Sequence, residues 1–86
     1  MSAMPASRVL LLEDDHRLRS SLRLVLELDG YAVVEAEDAE TALDVVRQGE
    51  VNAIMADLML GGIDGFSFIR SARPHTDVPI LVLSAR

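Results

Sequence analysis

Val9-Leu10-Leu11-Leu12-Glu13-Asp14-Asp15 sets four aliphatic residues directly before three carboxylates. A strand with one wet face alternates apolar and polar residues. An unbroken aliphatic run instead fits a strand covered on both sides, as in a parallel sheet. The chain then turns into a helix. Asp15 reads as its N-cap, a carboxylate accepting from backbone N–H groups that have no partner within the helix. Leu18, Leu22, Val25 and Leu26 follow at helical spacing, and Leu24 and Leu28 widen the stripe. Arg17, Arg19, Arg23 and Glu27 fall mostly on the other face, which reads as solvated. Gly30 closes the helix because it takes the left-handed conformation without a Cβ clash.

The same alternation continues outward. Tyr31–Glu35 is a short strand. Asp38 caps a second helix, with Ala39, Ala42, Leu43 and Val46 as its apolar stripe and Gly49 as its end. Ala53–Ala56 is a third strand, followed by a polar, glycine-containing loop from Asp57 to Gly65. Phe66, Ile69 and Arg70 mark a short third helix that ends before Pro74. Pro79 precedes a fourth buried strand, Ile80–Leu83, at a position where proline is tolerated. Strands alternating with helices imply right-handed crossovers and an α/β fold: an open parallel sheet with helices on both faces.

Composition bounds the function. With 86 residues, the chain is long enough for one small domain. Residues 1–7 read as a flexible arm and residues 8–86 as the domain. Half the residues are hydrophobic, and Tyr31, Phe66 and Phe68 are the only aromatics, so the core is aliphatic. Cysteine is absent, which excludes disulfide and thiolate metal sites. The net charge is −6 and there is no lysine. Clustered basic residues for phosphate contacts are therefore lacking, and nucleic-acid binding by this segment is not expected. The longest apolar runs, four residues each, cannot span a bilayer. The N-terminus has no secretory pattern, so the expected location is the cytoplasm.

Ligand sites in open parallel sheets lie beyond the carboxyl ends of the strands. Glu13, Asp14 and Asp15 follow the first strand, Asp57 the third and Ser84 the fourth. If the first and third strands are neighbours, their acids converge. Two carboxylates at ~5 Å repel by roughly 3 kcal/mol at an effective dielectric of about 20. Either their pKa values rise or a cation joins them. Oxygen ligands without cysteine favour a hard ion, Mg²⁺ or Mn²⁺. Asp57 alone fits a turn cap equally well; the cap reading does not explain acids at two strand ends and a hydroxyl at a third. His16 and His75 show no spacing for a metal or a triad, and Ser20, Ser21 and Ser67 have no base nearby in sequence.

Three stretches carry a family resemblance. Val9–Asp15 resembles the opening of response-regulator receiver domains. Ala56-Asp57-Leu58-Met59-Leu60-Gly61-Gly62-Ile63-Asp64-Gly65-Phe66 is similar to the family's phosphorylation-site stretch, and Pro79-Ile80-Leu81-Val82-Leu83-Ser84-Ala85 to its fourth strand and switch residue. The resemblance runs from about Arg8 to the last residue and implies a flavodoxin-like sheet of order 2-1-3-4. It implies that Asp57 is the phosphoacceptor. Asp14 would bind Mg²⁺ (or Mn²⁺) directly, Glu13 through water, and Asp57 and the Met59 backbone carbonyl would complete the ligands. Ser84 would bond a phosphoryl oxygen, Ala85 would leave room for it, and Gly65 would let the loop close. The implied partner is a sensor histidine kinase or a phosphotransfer protein, which docks on a face like that of the first helix. The implied module signals, and at most catalyses its own phosphorylation and dephosphorylation.

The chain departs from the family in two ways. Gly61 stands where the family usually has proline, and the residues end past the fourth strand, before the family's fourth helix, fifth strand and fifth helix. The family's phosphoryl-pairing lysine and fifth-strand aromatic have no counterpart here. Loss of one such aimed donor costs ~3 kcal/mol, or about a hundredfold in rate. The fourth strand becomes a sheet edge, and aliphatic surface is left uncovered. Self-association through the edge or the bare face is expected. An alternative follows: a truncated receiver acting as a phosphorylation-independent protein-binding or oligomerisation module. A Mg²⁺-dependent phosphatase with an aspartyl nucleophile ranks below both, since Met59 stands where its second aspartate belongs.

Overall fold

The computed structural model describes residues 6–57, 59–60 and 63–83. In chain order the elements are β1 (Arg8–Leu12), α1 (His16–Leu28), β2 (Ala32–Ala36), α2 (Ala39–Gln48), β3 (Ala53–Asp57), β4 (Met59–Leu60), β5 (Ile63–Asp64), α3 (Gly65–Ala72), a 3-10 turn (Arg73–His75) and β6 (Ile80–Leu83). The main sheet has the order β2-β1-β3-β6. All three of its pairings are parallel, with Leu10 opposite Val34 and Ile54, and Ala56 opposite Val82. With β6 as the fourth long strand, this is the flavodoxin-like order expected from the resemblance.

Successive strand residues point to opposite faces. Leu10, Leu12, Ala36, Ile54 and Ala56 pack on one face against Ala39, Ala42 and Val46 of α2 and Phe68 and Ala72 of α3. Val9 and Leu11 point the other way and are also buried, so β1 is covered on both sides, as its aliphatic run requires. The expected caps are present. The Asp15 carboxylate accepts from the Arg17 and Leu18 N–H groups at 2.9 and 3.1 Å. Asp38 accepts from Thr41 N–H at 2.7 Å, which holds its pKa below the usual carboxylate value. Gly49 caps α2 in the left-handed conformation.

Several sequence expectations need correction. The second strand begins at Ala32, not Tyr31. Tyr31 N–H donates to the Leu26 carbonyl and Gly30 N–H to Glu27, both at 3.1 Å. That paired closure, with Gly30 at φ 96°, uses Tyr31 to finish α1. The third strand extends through Asp57, so the candidate nucleophile is a strand residue. The stretch taken as a loop contains an antiparallel hairpin, with Met59 opposite Asp64 and Leu60 opposite Ile63. No residue of α1 is buried. Leu22 and Leu26 are half-buried, while Val25 and Leu28 are exposed. The helix rests on β1 and β2, and none of the described residues covers its remaining apolar flank.

Candidate functional site

The site is assembled at the carboxyl ends of β1 and β3, which are sheet neighbours. Glu13 N–H donates to the Ala36 carbonyl at 3.0 Å and extends the β1–β2 ladder by one residue. This brings the Glu13 side chain into the interior, where the residue is 1% exposed. Its Oε2 accepts from Asp15 N–H at 3.0 Å. Its Oε1 is buried with no hydrogen-bond partner among the described residues. Asp57 ends β3 and is also buried, whereas Asp14 is exposed. One oxygen from each of Glu13, Asp14 and Asp57 lies within 4.8 Å of the others.

Burial pushes the Glu13 carboxyl up to about 7, with neighbouring Asp57 and Asp14 adding to the rise and the Asp15 N–H opposing it. Burial and the neighbouring acids therefore disfavour the charged form of Glu13. An all-oxygen donor set with a partnerless buried oxygen fits a hard divalent cation, which takes carboxylates and keeps waters. Glu13, Asp14 and Asp57 thus meet the requirement for holding Mg²⁺.

The other expected site residues fall differently. Asp15 is occupied as the α1 cap and stands outside the trio. Met59 begins β4, two residues past Asp57, and Gly65 begins α3. Ser84 and Ala85 lie outside the described residues. One residue next to the site was misread from sequence. Arg19, taken as part of a solvated face, has a side chain only 11% exposed. Its Nη1 donates to the Glu13 backbone carbonyl at 2.8 Å, and its Nε to Glu35 Oε1 at 3.1 Å. Arg23 Nη1 donates to the other Glu35 oxygen at 2.6 Å, and Arg23 chiefly, with Arg19, holds the Glu35 carboxyl below its usual pKa. Two arginines one helical turn apart were the available signal; their shared acid on β2 was not evident from spacing.

An open parallel sheet that gathers three carboxylates beyond adjacent strand ends defines the class, an α/β module with an acidic cation pocket. The family model of the response regulator receiver domain matches residues 9–86, and the chain belongs to that family. It is a receiver domain of two-component response regulators, a signalling module. Response regulator MprA of Mycolicibacterium vanbaalenii is 40% identical over 80 residues, covering 92% of this chain and 35% of that protein. Transcriptional regulatory protein KdpE of Staphylococcus aureus is also 40% identical over 80 residues, covering 93% and 35%. The chain thus spans about a third of the length of these curated relatives. Among solved structures, the Vibrio cholerae chemotaxis protein CheY4 superposes with a TM-score of 0.88 at 26% identity, over 95% of this chain and 71% of that one. A structure of histidine kinase ThkA in complex with response regulator protein TrrA matches with a TM-score of 0.84 at 29% identity, over 92% and 69%. No helix among the described residues is long and apolar enough to cross a membrane.

Proposed function

We propose that this domain, residues 8–86, is a phosphoacceptor that takes a phosphoryl group on Asp57 with Mg²⁺, residues 1–7 being an arm outside it. The observation that carries the reading is the convergence of Glu13, Asp14 and Asp57 around a buried oxygen with no hydrogen-bond partner among the described residues. Asp57 is the nucleophile: a carboxylate oxygen forms the new bond to phosphorus as the bond to the donor breaks, and that electron pair leaves with the donor. Glu13, Asp14, Asp57 and the Met59 backbone carbonyl hold the ion. A bound Mg²⁺ offsets charge on the transferring group and orients it. Ser84 donates its hydroxyl to a phosphoryl oxygen, Ala85 leaves space for the group, and Gly65 permits closure of the loop. The donor is a sensor histidine kinase or phosphotransfer protein in the cytoplasm; the match to a structure holding a histidine kinase with a response regulator supports that partner. Incubation with acetyl phosphate and Mg²⁺ is expected to add one phosphoryl group to the chain, seen by intact mass. A folded sample with no adduct, or an adduct undiminished by a chelator, counts against the reading.

A second reading has its own observation. Leu81 is 59% and Val82 39% exposed on β6, and Leu81 borders a groove of about 310 Å³ lined also by Val9, Leu26, Tyr31, Met55 and Pro79. Such apolar surface favours self-association, as in a module that works through protein contacts without phosphate. Sedimentation at tens of micromolar is expected to show dimers or larger species; a monomer at that concentration removes this reading.

A further inference from the structure

Arg19 makes contacts that a mere surface salt bridge does not explain. Its guanidinium reaches three groups at once: the Glu13 carbonyl, Glu35 Oε1 and, at 3.3 Å, His16 Nδ1. The Glu13 carbonyl belongs to the peptide that joins the two acids at the end of β1. The N–H of Glu13 is already held by Ala36, and its carboxylate by the Asp15 N–H. Arg19 adds a restraint on the carbonyl of that residue. Glu35 in turn fixes the guanidinium, and Arg23 occupies the second Glu35 oxygen without touching Glu13 in any hydrogen bond or ion pair.

We infer that Arg19 is a positioning residue for the acidic pocket: it clamps the Glu13–Asp14 peptide and so presets both carboxylates for the cation. The inference rests on the phosphoacceptor reading above. Without the clamp, the peptide between the acids gains freedom that must be lost again when an ion binds. Groups that orient metal ligands in this way typically contribute 10–100-fold in affinity. Arg23, on the same helix and bound to the same glutamate, is the matched control for loss of an ion pair alone.

The test titrates Mg²⁺ into the metal-free native chain, Arg19→Met, Arg19→Lys and Arg23→Met, with thermal melts to establish folding. Backbone NMR follows the Asp14 amide in each. Arg19→Met is expected to bind Mg²⁺ about tenfold more weakly and to show a more mobile Asp14 amide before metal is added. Arg23→Met is expected to match the native chain in both readouts. Should Arg19→Met not fold, Arg19→Lys decides. It keeps the charge and stem, but its single ammonium lacks the planar fork that serves both Glu13 and Glu35, so affinity is still expected to fall. The inference is overturned if a folded Arg19 variant binds Mg²⁺ as the native chain does, if Arg23→Met loses as much, or if neither Arg19 variant folds. A folded native chain that binds no Mg²⁺ overturns the phosphoacceptor reading itself, an outcome visible before any variant is compared.

Discussion

Phe68→Ala is expected to cost about 3–5 kcal/mol of folding stability, the usual loss when a buried aromatic is cut back and a cavity remains. Phe68 is 1% exposed and is the largest fully buried side chain. It joins α3 to α2 and to the sheet within one core cluster. Domains hold roughly 0.05–0.15 kcal/mol of stability per residue, which for 86 residues means about 4–13 kcal/mol. The substitution therefore removes a large share of the total. Urea denaturation should show either a steep fall in midpoint or a chain unfolded without denaturant. Leu28→Ala, at a position 80% exposed, should stay within about 0.5 kcal/mol of the native chain. Equal effects at the two positions would contradict the assignment of the core to the face covered by α2 and α3.

Asp14→Asn is expected to weaken Mg²⁺ binding by more than about a hundredfold, since it removes a ligand charge rather than an orienting group. The native chain should also show a definite pH dependence. The Glu13 carboxyl is raised from 4.5 to about 7, so between those values the metal-free native state holds a proton that the unfolded chain has released. The contribution of Glu13 to metal-free stability is therefore greatest below pH 4.5, declines as pH rises and is lost through pH 7. Mg²⁺ requires the ionised carboxylate, so affinity should move the opposite way. It is expected to rise about tenfold between about pH 6 and 8 and then level off. Calorimetric titration across that range checks both expectations. An affinity independent of pH, or unchanged by Asp14→Asn, would remove Glu13 or Asp14 from the ion's ligands.

Much of this arrangement was legible in local chemistry. Val9–Leu12 announced a strand covered on both faces, and Asp15, Asp38 and Gly49 marked helix ends that the structure reproduces. Adjacency of the first and third strands was enough to bring Glu13 and Asp14 to Asp57. What escaped depended on contacts across the fold. Tyr31 was read as the first residue of the second strand, yet its N–H completes α1. The hairpin after Asp57 had a signal in Gly61-Gly62 between two short segments. Arg19 looked like an exposed charge because two of the groups it reaches, a backbone carbonyl and an acid on the next strand, leave no trace in spacing.

The central claim is that Asp57 accepts a phosphoryl group. The most direct test is intact mass after incubation with acetyl phosphate and Mg²⁺, comparing the native chain with Asp57→Ala. One phosphoryl adduct on the native chain and none on the folded variant is the expected result. An adduct of equal yield on both, or none on a folded native chain that binds Mg²⁺, would contradict it.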